Sequence, residues 1–128
     1  MDPNGVITTI AGTGVVGFSG DGGPATMAQL DKPEAIAVDA AGNVFFDDTD
    51  NDRIRRIDTS GIITTVAGNG TAASTGDGGH ATSAQLQDPS GLVMDGDGVL
   101  YVSSDGNAPS CVRSITPDGV IHAQWCHP

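Results

Sequence analysis

Short apolar runs, broken by glycine-rich and polar turns, set the rhythm of this chain. Residues 6–11 read VITTIA, a β-branched run that ends at Gly12 and predicts a strand. Pro33 to Ala40 (PEAIAVDA) predicts a second, with Ile36 and Val38 alternating onto one face. Asn43 to Asp47 (NVFFD), Arg53 to Asp58 (RIRRID) and Ile62 to Ala67 (IITTVA) follow, separated by Ala41-Gly42, by the polar stretch Thr49 to Asp52 and by Thr59-Ser60-Gly61. Four short strands joined by tight turns describe an antiparallel meander. A second series repeats the order: Ser90 to Asp95, Val99 to Ser103, Cys111 to Thr116 and Val120 to Cys126. No window sustains a helical period. The exception on a smaller scale is Pro24 to Leu30 (PATMAQL), where proline at a first helical position predicts one or two helical turns with Met27 and Leu30 inward.

The two series are copies. Gly5 to Leu30 (GVITTIAGTGVVGFSGDGGPATMAQL) recurs as Gly61 to Leu86 (GIITTVAGNGTAASTGDGGHATSAQL) at a constant offset of 56, and the match runs on through Pro33/Pro89, Asp39/Asp95 and Gly42/Gly98. Gly61 then aligns with Gly119 at an offset of 58, which puts a two-residue insertion within Ser104 to Ser110. The repeat divides the chain into an N-terminal strand and glycine-rich connection (1–32), a first meander (33–68), a second connection (69–88) and a second meander (89–128). One four-stranded sheet buries a single face and leaves its edges open. Stacking such sheets radially answers both problems.

The motif P-x-x-[IL]-x-[VM]-D-x-x-G at Pro33–Gly42 and Pro89–Gly98, the stretch Asp47–Asp58 (DDTDNDRIRRID) and the linking GxITTVAGxG…GDGGxATxAQL resemble NHL repeats, over nearly the whole chain and in tandem. The resemblance implies an all-β fold of β-propeller blades: two four-stranded antiparallel meanders plus an extra N-terminal strand. Propellers need about four to eight blades, so it also implies a ring completed by oligomerisation, with a trimer giving six. A fragment of a larger propeller and an open sandwich of the two meanders are the other arrangements. The second repeat departs from the pattern. Cys111 to Thr116 has lost the paired arginines of Arg55-Arg56, and Val120 to Cys126 has lost TTVAG, as a terminal capping repeat would. The N-terminal strand has the sequence of a fourth strand, and Val120 to Cys126 competes for the same role. NHL propellers resemble binding platforms for proteins, in some relatives for RNA; a few related propellers are lyases or hydrolases with a metal in the central channel. The implied function is a non-catalytic structural and protein-interaction scaffold. The alternatives are a lectin-like oligomeric propeller or, further off, a propeller enzyme with a channel metal.

Charge narrows the partners. The 128 residues carry a formal net charge of −11, with one lysine (Lys32) and four arginines. That balance argues against nucleic acid and anionic membranes, and no apolar run is long enough to span a bilayer. The first residues, MDPNG, contain no signal-peptide pattern.

Several side chains are candidates for chemistry. Asp48, Asp50 and Asp52 alternate as at the start of a calcium loop, though the glycine and closing glutamate of an EF-hand are absent and an Asx-type turn explains the same spacing. No cofactor is expected, with calcium at these aspartates as the alternative. Asp21 and Asp77 lie in the repeated GDGG loops, as ligand groups or as caps of the short helices that follow. Arg53, Arg55 and Arg56 hold three of the five basic charges; Arg53 and Arg55 share a strand face, and ion pairing between blades or subunits is expected of them, with an anionic ligand as the alternative. His80, His122 and His127 form no spaced metal motif, although one histidine per chain around a common axis would build a three-His site. Trp125 is a blade-edge residue or a sugar platform. Cys111 and Cys126 flank Pro117-Asp118-Gly119. A two-residue Asp118-Gly119 loop puts them opposite each other as a cross-strand disulfide, whereas a bulge at Gly119 slips the register by one. The disulfide implies an extracellular or periplasmic setting.

Overall fold

A computed structural model describes residues 3–104 and 110–127. The chain is all-β: one sheet has the order β1 (Pro33–Val38), β2 (Val44–Asp48), β3 (Arg53–Ile57), β4 (Ile63–Ala67), and the other β5 (Pro89–Met94), β6 (Leu100–Ser104), β7 (Ser110–Ile115), β8 (Ile121–His127). Every neighbouring pair is antiparallel, as tight turns require. The two-residue insertion expected between the second and third strands of the second sheet lies largely outside the described residues.

The sheets stack face to face, with β5 against β1 and β2. Between them Ile54, Ala67, Leu86, Leu92, Leu100, Val102, Ile115 and Ile121 are buried, backed by Ala35, Ala37, Phe45 and Val66. A smaller cluster, Ala25, Ala28, Phe46, Ile57 and Ile63, lies under the N-terminal connection with Ala11, Leu30 and Val44 around it. The alanines of β1 therefore face the second sheet. Ile36 and Val38 do share a face, but it is the outer one, and both are largely exposed.

Three local expectations are corrected. Residues 6–11 join no sheet: a strand needs a neighbour, and no edge of either sheet reaches them. The helical turns shrink to single 3-10 turns at Ala25–Met27 and Ala81–Ser83, since each is immediately followed by backbone that returns to an extended conformation. Met27 points to solvent, while Leu30 is half-buried against the smaller cluster.

Both connections follow one path. The Gly12 N–H donates to Ala25 O and the Gly68 N–H to Ala81 O, each at 2.9 Å. Gly22 and Gly78 donate to Ile63 O and Ile121 O, which ties each glycine loop to the outer strand of the sheet that follows it. The loops need glycine for space as well as for positive φ. A Cβ on Gly20 or on Gly76 would stand 2.7 Å from the Cα of Ala28 or Ala84.

The hairpin at the end of the second sheet decides the cysteine register. Thr116 and Val120 close the turn and Gly119 takes φ 84°, so pairing starts one residue off, at Ile115↔Ile121. A second irregularity between Val112 and Arg113 restores it, placing Cys111 opposite Cys126. The two are joined as a disulfide.

Candidate functional site

Two features stand out: a buried arginine under each connection, and an open apolar face on the first sheet. Arg55 is fully buried. Its Nη1 donates to Gln29 O (2.8 Å) and Asp48 Oδ2 (3.3 Å), and its Nη2 to Ser19 O (2.8 Å) and Asp21 Oδ1 (3.1 Å). Arg53 lies beside it, its guanidinium 3.6 Å from the Phe18 ring centroid. Asp21 also accepts from Thr65 Oγ1 at 2.6 Å. The arginine thus fastens the incoming connection to its own sheet, rather than pairing across sheets as expected. Asp21 binds this guanidinium, and the short turn that follows has no side-chain cap.

The second repeat rebuilds this arrangement. Arg113 donates to Asp77 Oδ1 (2.9 Å), Gln85 O (2.8 Å) and Thr75 O (2.7 Å). Only the second arginine of the pair is replaced, by Ser114, so the third strand of this repeat keeps more of the pattern than its sequence implies. The offset of 58 carries Arg55 onto Arg113 and was the signal available for it.

The acidic triplet is dispersed. Asp48 is buried and accepts from Asp31 N (2.7 Å), Asn51 Nδ2 (2.8 Å) and Arg55. Asp52 takes φ 52° and accepts from Asp88 N (2.9 Å) across to the second repeat; burial raises its pKa above the usual value. Asp50 is exposed. Among the described residues no three His, Cys, Asp or Glu side chains stand where they could hold a metal ion. Arg56 lines a cleft of about 450 Å³ between the sheets with Phe45, Val66, Leu100 and Ile115. Missed by sequence reasoning is Asp47, fully buried, with neither carboxylate oxygen hydrogen-bonded among the described residues. Burial, and secondarily the charge of Glu34, push its pKa up to about 7.

The open face is best measured against its own repeat. Ile36 is 62% exposed, and its equivalent Leu92 is 8% exposed. Thr9, Ile10, Ala11, Leu30, Ile36, Val44, Phe46 and Ile57 line an apolar groove of about 300 Å³. Their equivalents include Val66, Ala67, Leu86, Leu92, Leu100, Val102 and Ile115, the closed core between the sheets. The groove is that core with one wall removed. At the other end of the stack the relation inverts: Ala67 is 0% exposed and its equivalent Trp125 is 60% exposed.

Two stacked four-stranded meanders, each entered through a glycine loop pinned by a buried arginine, define consecutive blades of an NHL-type β-propeller. The solved structures that resemble it agree on the fold. A virginiamycin B lyase from Staphylococcus aureus matches with a TM-score of 0.50 at 21% identity, over 71% of this chain and 26% of that one. A streptogramin B lyase matches with a TM-score of 0.50 at 18% identity, over 71% and 25%. The profile of the Teneurin NHL domain matches residues 2–75, and the chain belongs to that family. Mouse Teneurin-1 is 34% identical over 105 residues, covering 72% of this chain, and human Teneurin-4 is 36% identical over 96 residues, covering 65%. The chain spans about 4% of the length of these relatives. The disulfide fits an oxidising compartment.

Proposed function

We propose that this chain is a non-catalytic scaffold whose two blades are completed into a closed propeller by copies of itself, three chains giving six blades, and which presents its connecting loops to a protein partner. The observation that carries this reading is the pair Ile36 and Leu92: one position, exposed in the first blade and covered in the second by the blade before it. An apolar face that is core in one repeat is a docking surface in the other. A heterologous contact of this kind closes into a ring when its rotation sums to a full turn, as three chains of two blades would in a six-bladed propeller. The disulfide supports an extracellular or periplasmic setting. Size-exclusion chromatography with light scattering tests the assembly, with and without reductant. A mass three times 12.8 kDa is expected in at least one condition, and a monomer in both sinks the reading.

A further inference from the structure

Residues 7–11 hold the place of a fourth strand without belonging to a sheet. Ile7, Thr9, Ile10 and Ala11 are the repeat equivalents of Ile63, Thr65, Val66 and Ala67 in β4. The Gly12 N–H to Ala25 O bond sets the arm where Gly68 to Ala81 sets β4. Thr9, Ile10 and Ala11 already form one wall of the open groove. Yet Ile7 is 84% exposed, while both Ile63 and Ile121 are fully buried.

The second blade owns a fourth strand that suits this place badly. By the offset of 58, β8 carries Gln124 and Trp125 where β4 carries Val66 and Ala67. Ala67 is packed in the closed core between blades, and a tryptophan does not fit where an alanine is fully enclosed. The arm carries Ile10 and Ala11 at those positions. Thr65 Oγ1 donates to Asp21, whereas the equivalent of Thr65 in the second repeat is Ala123, which has no hydroxyl to give Asp77, the equivalent of Asp21. Thr9 of the arm supplies that hydroxyl.

We infer that the arm docks by strand exchange on a second copy of this chain. It replaces β8 along β7 of that copy, so that β5, β6 and β7 with the arm make one blade packed on the face lined by Ile36, Val38 and Val44. By the register of Ile54↔Ala67, Ala11 comes opposite Val112, and Thr9 reaches Asp77 of the second copy. The occupant is a second copy because the outer face of its second sheet, carrying Val93, Tyr101 and Val112, is the other open inter-blade face among the described residues. The Cys111–Cys126 bond is the bolt, since β8 stays on β7 while it holds. A dithiol opens it by accepting the oxidation: two electrons and two protons pass to Cys111 and Cys126 as thiols, and the dithiol becomes a disulfide.

This inference rests on the self-assembly reading and specifies how it occurs. The test is hydrogen exchange with mass measurement on the full chain, comparing the oxidised protein with the protein in dithiothreitol and with Cys126→Ser. The oxidised chain is expected as a monomer with fast amides at residues 7–11 and slow ones at 121–126. In the other two conditions the chain assembles, and the pattern reverses by ~10-fold or more in each segment. Ile10→Asp, a change at an exposed residue of the monomer, is expected to abolish assembly and leave the oxidised monomer folded. Assembly with 121–126 still slow and 7–11 still fast overturns strand exchange while self-assembly stands. A monomer in every condition overturns both.

Discussion

The two blades share a backbone and differ in how each is held. In the first, Arg55 is clamped by two carboxylates, Asp48 and Asp21, and Arg53 stacks on Phe18. In the second, Arg113 has a single carboxylate among the described residues, Asp77, and Ser104 stands at the equivalent of Asp48. Cys111 stands at the equivalent of Arg53, and the disulfide appears there instead. One blade is held by the fuller buried polar network, and the other by a reduced one with a covalent tie added. A repeat can thus keep its geometry while exchanging what secures it, provided the incoming connection stays pinned to the sheet.

Removing the arginines gives the largest effect and separates the two designs. Arg55→Ala is expected to cost about 3–5 kcal/mol, because it strands the fully buried Asp48 without its counter-charge. Arg113→Ala is expected to cost roughly 1–3 kcal/mol, since Asp77 is about one-third exposed and recovers water. Urea denaturation of the two variants checks the order, and equal losses would erase the distinction.

The next contrast concerns the faces. Leu92→Ala opens a cavity between the blades and is expected to cost about 2–4 kcal/mol. Ile36→Ala, the same repeat position, is expected to cost less than about 1 kcal/mol in the monomer because its side chain already meets water. Thermal unfolding of both variants, compared at one concentration, reads this directly. If Ile36→Ala costs as much as Leu92→Ala, the outer face is already covered in solution.

The smallest effect is a pH slope. Asp47 has a folded pKa of about 7 against an ordinary 3.8, so the native state retains a proton that the unfolded chain gives up between those values. Its contribution to stability is full below about pH 4 and is lost as the pH rises to about 7. Asp47→Asn is therefore expected to flatten that part of the stability profile and to gain roughly 1–3 kcal/mol at pH 8, with little change at pH 4. Unchanged profiles for the variant and the parent would show that the carboxylate is not held as the structure has it.

Much of the fold was legible in the chain. Alternating runs and turn residues placed all eight sheet strands, and the 56-residue period revealed two equivalent units. The cysteine pair was legible only as a choice of registers. It was settled by two compensating irregularities, one at Gly119 and one between Val112 and Arg113, and the sequence signals only the first. The arginine nodes were half legible. Alternation put Arg53 and Arg55 on one side of their strand, but the partners of Arg55, Asp21 and Asp48, lie 34 and 7 residues away. Only the returning path of the connection brings Asp21 there.

The sequence by itself determined the strands, their order and the equivalence of the two repeats, because these depend on local alternation and on self-similarity along the chain. The tertiary structure decided which side of each strand is inside. Ile36 and Leu92 occupy the same position of the repeat, and one is in water while the other is in the core. The reason is that burial in a stacked architecture is set by the adjacent unit, and no periodicity within a strand encodes whether that unit is present.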